Sequence, residues 1–309
     1  MKLEFKKDFA ERYKKILGEE AKLFFEYCKK LLTPSIRVNT LKITKEKLEE
    51  RLRNKGWKIS SITWYKDALV IREGPKDLGN MIEHCLGYYY VQELASMIPP
   101  LVLDPRKGEK VLDLCAAPGS KTTQIAQLMH NKGIIVANDV EISRIKVLSA
   151  NLQRCGVLNA IVTRMPGQRF SKVKQRFDRV LVDAPCTGEG AIRKDWGIMR
   201  MWNLAGVRGL SRLQKRLIQA GFTCLREGGT LVYSTCTLSP EENEEVIAYL
   251  LDKFENAKIE RIRIPRLKYR EGLGEWEGRE FPKEVKRCCR IYPQDNDTEG
   301  FFIAKIGKD

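Results

Sequence analysis

Two short cysteine motifs could carry covalent chemistry: Asp183-Ala184-Pro185-Cys186-Thr187-Gly188 and Ser234-Thr235-Cys236-Thr237. Each follows an apolar run, Val180-Leu181-Val182 or Thr230-Leu231-Val232-Tyr233, that reads as a short buried strand of a parallel sheet. Both thiols are therefore expected past the carboxyl ends of strands, where open α/β sheets bind ligands. Upstream lies a glycine-bearing turn, Asp113-Leu114-Cys115-Ala116-Ala117-Pro118-Gly119-Ser120-Lys121. Two thiols facing one pocket beside such a turn point to nucleophilic chemistry on a substrate. Which thiol attacks stays open on position alone. Cys115, Cys155 and Cys224 read as small buried residues, the usual fate of a free cysteine. The nine cysteines show no repeated spacing, Cys288-Cys289 cannot sensibly share one zinc ion, and His84 and His130 lie far apart. Neither a disulfide framework nor a metal site is expected.

The turn carries its own chemistry. Asp113 ends an apolar strand, Pro118-Gly119 turns the chain, and Ser120 can cap a helix whose free N–H groups attract an anion. The spacing matches neither Gly-x-Gly-x-x-Gly nor a Gly-Lys-Ser/Thr phosphate loop, so a nucleoside carrying a carboxylate fits better than a triphosphate. Asp139, at the tip of the second strand, can accept both hydroxyls of a ribose. Alone it could be a helix cap, but the preceding turn and Arg144 on the next helix favour the ribose role. The implied cofactor is S-adenosylmethionine, contacted by Cys115, Ala116, Ala117, Pro118, Gly119, Ser120, Lys121, Asp139, Arg144 and Asp183.

These side chains need a scaffold. From Val111 the pattern alternates: strand 111–114, helix 120–130, strand 134–138, helix 142–154, strands 160–163 and 178–182. A helix near 211–226, a strand at 230–235, a helix from Pro240 to about 254, and strands near 258–264 and 301–306 follow. This predicts a doubly wound, Rossmann-like sheet with right-handed crossovers. Before it, helical spacing runs from Phe9 to Leu32, then a strand at 36–39, a capped helix at 44–55, and strands at 59–64 and 68–71 form a small α+β unit. Gly87 to Pro100 reads as the bridge. The expected organisation is residues 1–90 as an N-terminal domain and 91–309 as the catalytic domain, in a monomer.

The chain has 56 basic and 40 acidic residues, a net charge of +16, which suits a polyanionic partner. Between Arg164 and Arg216 there are thirteen Lys or Arg against four Asp or Glu, flanking the Cys186 motif. A heat-adapted, highly charged surface would give a similar total, but basic charge around a candidate active site favours nucleic acid. Arg193, Lys194 and Arg200, directly after the motif, are the candidate RNA contacts. The charged start, Met1 to Lys7, lacks a following apolar run and no stretch of eighteen apolar residues occurs, so no signal peptide or membrane span is expected and a cytoplasmic location is.

Taken together, these motifs resemble the Nop/Sun (Fmu-type) RNA cytosine-5 methyltransferases. The resemblance extends to Pro240-Glu241-Glu242-Asn243-Glu244, Arg37-Val38-Asn39-Thr40-Leu41, Tyr90-Val91-Gln92-Glu93-Leu94-Ala95-Ser96-Met97 and Gly300-Phe301-Phe302-Ile303-Ala304-Lys305. It implies an RNA-recognition-like N-terminal domain, nucleophilic attack by Cys236 on carbon 6 of cytosine, and a part for Cys186 in release of the product. Asp183 would pair with the base edge and favour the protonated ring, with Lys121 assisting. A compact chain of this kind resembles the stand-alone archaeal tRNA enzymes, while rRNA enzymes share every motif quoted. Met165-Pro166-Gly167 departs from the family, since proline replaces an aspartate that accepts from the adenine amino group; Glu299 replaces an aspartate too. An amino-methyltransferase would carry an aromatic residue in its fourth-strand motif, which Asp-Ala-Pro-Cys lacks. An RNA-binding assembly factor that lost catalysis is the other reading, at odds with retention of both thiols and Asp183.

Overall fold

The computed structural model describes residues 4–309; Met1, Lys2 and Leu3 of the charged start lie outside the described residues. The larger sheet runs through β5 (Lys110–Asp113), β6 (Ile134–Asp139), β7 (Ala160–Arg164), β8 (Phe177–Asp183) and β9 (Leu225–Thr235), all parallel to their neighbours in the order 7-6-5-8-9. The smaller one contains β1 (Ser35–Val38), β2 (Lys58–Ser61), β3 (Ala68–Glu73) and β4 (Tyr89–Val91), antiparallel throughout and ordered 2-3-1-4.

The chain's direction across the larger sheet reverses between β5 and β8. That switch point opens a crevice at the strands' carboxyl ends, and both the Asp113 turn and the Asp183 motif emerge there. Beyond β9 the sheet turns antiparallel: β15 (Phe301–Lys308) pairs with β9, with β10 (Ala257–Glu260) and with β14 (Cys289–Ile291), and β14 pairs with β11 (Arg270–Glu271). A separate two-residue hairpin joins β12 (Glu275–Trp276) to β13 (Arg279–Glu280). The core fills both faces of this sheet. Leu112, Val180, Val182, Leu231 and Phe302 pack toward the long helix Leu204–Cys224, and Val111, Leu181, Val232 and Ile303 pack on the other side with Ile125 and Met129. Because these strands are covered on both faces, they read as continuous apolar runs rather than alternating ones.

Three expectations change. The helix anticipated from Phe9 to Leu32 is two, Lys7–Leu17 and Ala21–Lys29, broken where Gly18 takes a positive φ of 57°. The stretch read as a bridge contributes β4, the edge strand of the small sheet: Tyr89 and Tyr90 alternate with β1 partners that only a long-range pairing supplies. Finally, the first two helices pack on the catalytic body, with Phe9, Tyr13 and Phe24 against Met199, Trp202, Leu238 and Tyr292.

The Arg37-Val38-Asn39 stretch clasps the small sheet to the large one. Buried Arg37 donates to Gln92 Oε1 at 2.9 Å, Gln127 Oε1 at 2.8 Å and Thr123 Oγ1 at 2.7 Å, the last two on helix Ser120–Leu128. Asn39 donates to the carbonyls of Gly87 and Cys155. A buried guanidinium needs such acceptors to be tolerated, so these bonds fix the helix that follows the Asp113 turn.

Candidate active site

The two thiols meet. Cys186 Sγ lies 3.2 Å from Cys236 Sγ, because β8 and β9 are parallel neighbours in register from Asp183 to Ser234 and each motif leaves its strand at the same level. Their loops are locked from behind. Glu242 accepts from Thr187 N at 3.1 Å, Thr187 Oγ1 at 2.5 Å and Gln214 Nε2 at 2.7 Å, and Thr187 Oγ1 reaches Thr237 Oγ1 at 3.0 Å. Burial pushes the Glu242 carboxyl up to about 7, against the pull of these hydrogen bonds. A second buried carboxylate, Glu189, takes hydrogen bonds from Tyr13, Trp202 and Ser239, which pins the Cys186 loop to the first helix.

The thiol pair stands on a wall between two cavities. The first, about 310 Å³, contains Gln92, Glu93, Ser96, Asp113, Lys121, Lys194, Glu299 and Phe301 along its sides. The second, about 450 Å³, lies between Asn138, Asp139, Val140, Arg144, Pro166, Gly167, Gln168, Leu213 and Leu217. Cys115, Ala117, Asp183, Ala184 and Cys236 face both, whereas Cys186 faces only the second. In the wall, Lys121 Nζ donates to Asp183 Oδ2 at 2.6 Å and to Ser96 Oγ at 3.1 Å, and Ser234 Oγ donates to Asp183 Oδ1 at 2.7 Å. Burial alone would lower the Lys121 pKa, but the Asp183 charge outweighs it and the ammonium is held. The hydrogen bond with Cys236, then burial, raises Cys186 well above the ordinary thiol range. Cys186 thus holds its proton, with the neighbouring sulfur within hydrogen-bond distance.

The second cavity fits a nucleoside cofactor. Asp139 is fixed by its own loop, accepting from Val140 N at 2.8 Å, Glu141 N at 3.2 Å and Ala117 N at 3.3 Å, with Arg144 Nη2 at 3.5 Å. Arg144 also donates to the Ala117 carbonyl at 2.7 Å and so ties Asp139 to the turn. Gly119, at φ 104°, starts the following helix, and a Cβ there would sit 3.0 Å from Leu148 Cδ1. At the turn, Asp113 receives a hydrogen bond from Thr122 at 2.7 Å on one oxygen, while the other is buried without a partner. Burial raises this carboxyl to about 7. An unpartnered buried acceptor beside a helix N-terminus suits the ammonium and carboxylate of an amino-acid tail.

All the residues expected to catalyse or to contact cofactor converge here, with one qualification for Gly119, which shapes the turn without lining a cavity. The RNA candidates divide. Lys194 is exposed and lines the first cavity, and Arg200 is exposed on the short helix Gly197–Met201 away from both. Arg193 is corrected: its guanidinium is buried and donates to the carbonyls of Lys30, Leu31 and Thr298 and to Asp297 at 2.7 Å. It bolts the loop after Cys186 to residues far along the chain and has no free face for a phosphate. Sequence reasoning passed over Gln92, Glu93 and Ser96 in the first cavity and Gln168 in the second, and noted Glu299 only as a departure from the family. The first three belong to a stretch whose resemblance was noted, yet nothing local in it signals a ligand. Among the described residues no cluster could hold a metal ion, and no helix is long and apolar enough to cross a membrane.

Comparison with known proteins places this architecture. Residues 100–307 match the family described as 16S rRNA methyltransferase RsmB/F, and residues 5–94 match the N-terminal domain of 16S rRNA methyltransferase RsmF. The chain belongs to the RsmB/F family. Within the family it is 49% identical to a tRNA (cytosine(49)-C(5))-methyltransferase of Pyrococcus abyssi, covering 99% of this chain and 98% of that protein. It is 43% identical to ribosomal RNA small subunit methyltransferase F of Vibrio campbellii over 97% of this chain but 62% of that longer protein. Among solved structures, a methyltransferase homologue from Pyrococcus horikoshii aligns with a TM-score of 0.89 at 39% identity, covering 99% and 96% of the two chains. The NSun6 protein of the same organism, solved with the S-adenosylmethionine analogue SFG, aligns at 0.85 with 28% identity over 98% of each. The large sheet is thus that of the S-adenosylmethionine-dependent RNA methyltransferases of this family.

Proposed function

We propose that the protein methylates carbon 5 of a cytosine in tRNA, with Cys236 as the nucleophile and S-adenosylmethionine as the methyl donor. The observation that carries the assignment is the position of Cys236 in the wall, facing both cavities, while Cys186 faces only one. A base in the first cavity is then within reach of Cys236 alone. The Pyrococcus abyssi relative, matched end to end, supports tRNA over rRNA, because the rRNA-named relatives are longer proteins of which this chain spans about three fifths.

The residues divide the work. Cytosine carbon 5 is a poor nucleophile, so Cys236 adds first to carbon 6 and makes carbon 5 electron-rich. Asp183, held as an acceptor by Lys121 and Ser234, takes a hydrogen bond from the exocyclic amino group. When bound, the cofactor would supply an electrophilic methyl group; Asp139 and Arg144 would hold its ribose side in the second cavity, and its amino-acid tail would reach past Cys115 and Ala117, which face both cavities, to the turn and Asp113 on the side of the first. With Pro166 offering no side-chain acceptor, the Gln168 amide two residues on is a group in that cavity able to receive the adenine amino group. In release the carbon 5–hydrogen electron pair reforms the 5,6 double bond, sulfur leaves carbon 6 as a thiolate, and the carbon 5 proton passes to water as the net proton of the methylation. Cys186, its sulfur 3.2 Å from that of Cys236, is placed to hydrogen-bond the departing thiolate as the bond breaks. Lys194 faces the mouth of the base cavity and suits a phosphate of the extruded nucleotide.

Denaturing gels of protein incubated with cofactor and either tRNA or a 16S rRNA fragment test this. Cys186→Ala is expected to accumulate a covalent adduct with tRNA and Cys236→Ala to form none. The reverse pattern would exchange the two roles, and adduct on the rRNA fragment alone would overturn the substrate.

A further inference from the structure

Glu299 stands just before β15, whose first residue, Phe301, closes the base cavity beside Cys236. It is 5% exposed, and its Oε1 is buried without a hydrogen-bond partner. Its neighbour Glu93 is the opposite: Oε2 accepts from Ala95 N at 2.7 Å and Ser96 N at 3.3 Å, and Oε1 accepts from Glu299 N at 3.0 Å. Two adjacent buried carboxyls do not both ionise readily, and the one supplied with backbone donors keeps the charge. The proton of the pair therefore resides on Glu299, which lines the cavity. Asp183 cannot supply that proton, since both of its oxygens already accept hydrogen bonds from Lys121 and Ser234.

We propose that Glu299 is a further catalytic residue, whose carboxyl group donates a hydrogen bond to N3 of the bound cytosine and so activates carbon 6 toward Cys236. The proposal rests on the cytosine-5 reading above and adds to it the missing proton donor. As the sulfur–carbon bond forms, electron density moves onto the ring and the Glu299 proton shifts toward N3; when that bond breaks, the proton returns, so no net proton is consumed. Burial, and then the charge of Glu93, hold the Glu299 carboxyl up to about 8, while Lys194, Lys121 and Arg193 pull it down. The donor is thus present at neutral pH and is lost as pH rises through that value.

The test uses the Cys186→Ala protein, cofactor and tRNA, and follows the rate of adduct formation from pH 6.5 to 9.5. Adding Glu299→Ala is expected to slow it roughly 10²-fold or more at pH 7, the usual scale for a lost acid. Adding Glu299→Gln, whose amide donates but does not titrate, recovers part of that loss. The ratio of the Glu299→Gln rate to its parent's then rises about tenfold between pH 7 and 9, because only the parent loses its donor there. Cofactor affinity stays within twofold in both, since Glu299 does not line that cavity. A Glu299→Ala rate within threefold of its parent, or a ratio for Glu299→Gln that is flat with pH, would overturn the proposal. Absence of adduct with Glu299 intact would instead bring down the Cys236 reading, and the proposal with it.

Discussion

The two cavities share one wall and are built in opposite ways. The base cavity is ringed by ionisable groups, Glu93, Asp113, Lys121, Asp183, Lys194 and Glu299, drawn from strands, loops and helices scattered from residue 93 to residue 299. The cofactor cavity has Asp139, Arg144 and Asp183 set among Leu114, Val140, Pro166, Pro185, Leu213 and Leu217, and most of it comes from three consecutive strand–turn–helix units. On the proposed assignment, a cofactor common to a whole class of enzymes is bound by a local, repeated device, and the base, which must be activated, is met by charged groups whose ionisation burial controls.

Substitutions can break this division of labour or sharpen it. The largest effect is expected at the shared wall. Asp183→Asn leaves Lys121 a weaker partner and removes a charged acceptor, so turnover should fall roughly 10²–10⁴-fold, with both RNA and cofactor binding weakened. Retention of either affinity would mean that the wall is not shared. Next, Asp139→Ala should touch one side only: charge-assisted hydrogen bonds contribute about 1.5–3 kcal/mol, so the calorimetric dissociation constant for S-adenosylmethionine should rise at least tenfold while RNA affinity holds. Pro166→Asp is expected to tighten cofactor binding from the same side.

Behind the wall, Glu242 makes a pH-dependent contribution. Its carboxyl keeps its proton in the native protein up to about pH 7, whereas in the unfolded chain it ionises near 4.5. The native state binds more protons between those values, so stability falls as pH rises from about 5 to 7. Glu242→Gln should flatten the urea-unfolding free energy across that window by about 2–3 kcal/mol, and an undiminished slope would show that other groups carry it. The smallest effect is expected at Lys194→Ala, which should weaken RNA binding a fewfold and reduce the salt slope by about one. Arg193→Ala should leave that slope alone and lower the melting temperature instead, the outcome that separates a phosphate contact from a buried tie.

The cofactor side was legible because its signals are local. Asp113, Gly119 and Asp139 announce themselves through a strand ending, a turn and a helix beginning within a few residues of one another. The thiols were legible for the same reason, each placed by its own strand. Arg193 misled because a basic residue after a catalytic motif looks the same in sequence whether it faces water or the carbonyls of Lys30 and Thr298. Glu299 was noticed as a substitution, but its role depends on Glu93, 206 positions away, whose oxygen takes its N–H. Tyr89–Val91 became a strand only through β1, and the first helix joined the catalytic body through the packing of Phe9 and Tyr13 and the hydrogen bonds of Arg12 to Glu241 and Tyr13 to Glu189. Pairings over such distances leave no periodicity to read.

The strand β15 lies inside the large sheet, with β9 on one side and β10 and β14 on the other, although residues 301–308 follow every parallel strand in chain order. During synthesis, the five parallel strands can pair and the cofactor turn can form while the sheet's interior position is still vacant. The base cavity cannot, because Glu299 and Phe301 follow all five parallel strands in chain order. A ribosome-bound chain that has not yet reached residue 299 should therefore recognise the methyl donor before it can engage RNA, and competence to modify arrives when β15 slots into place.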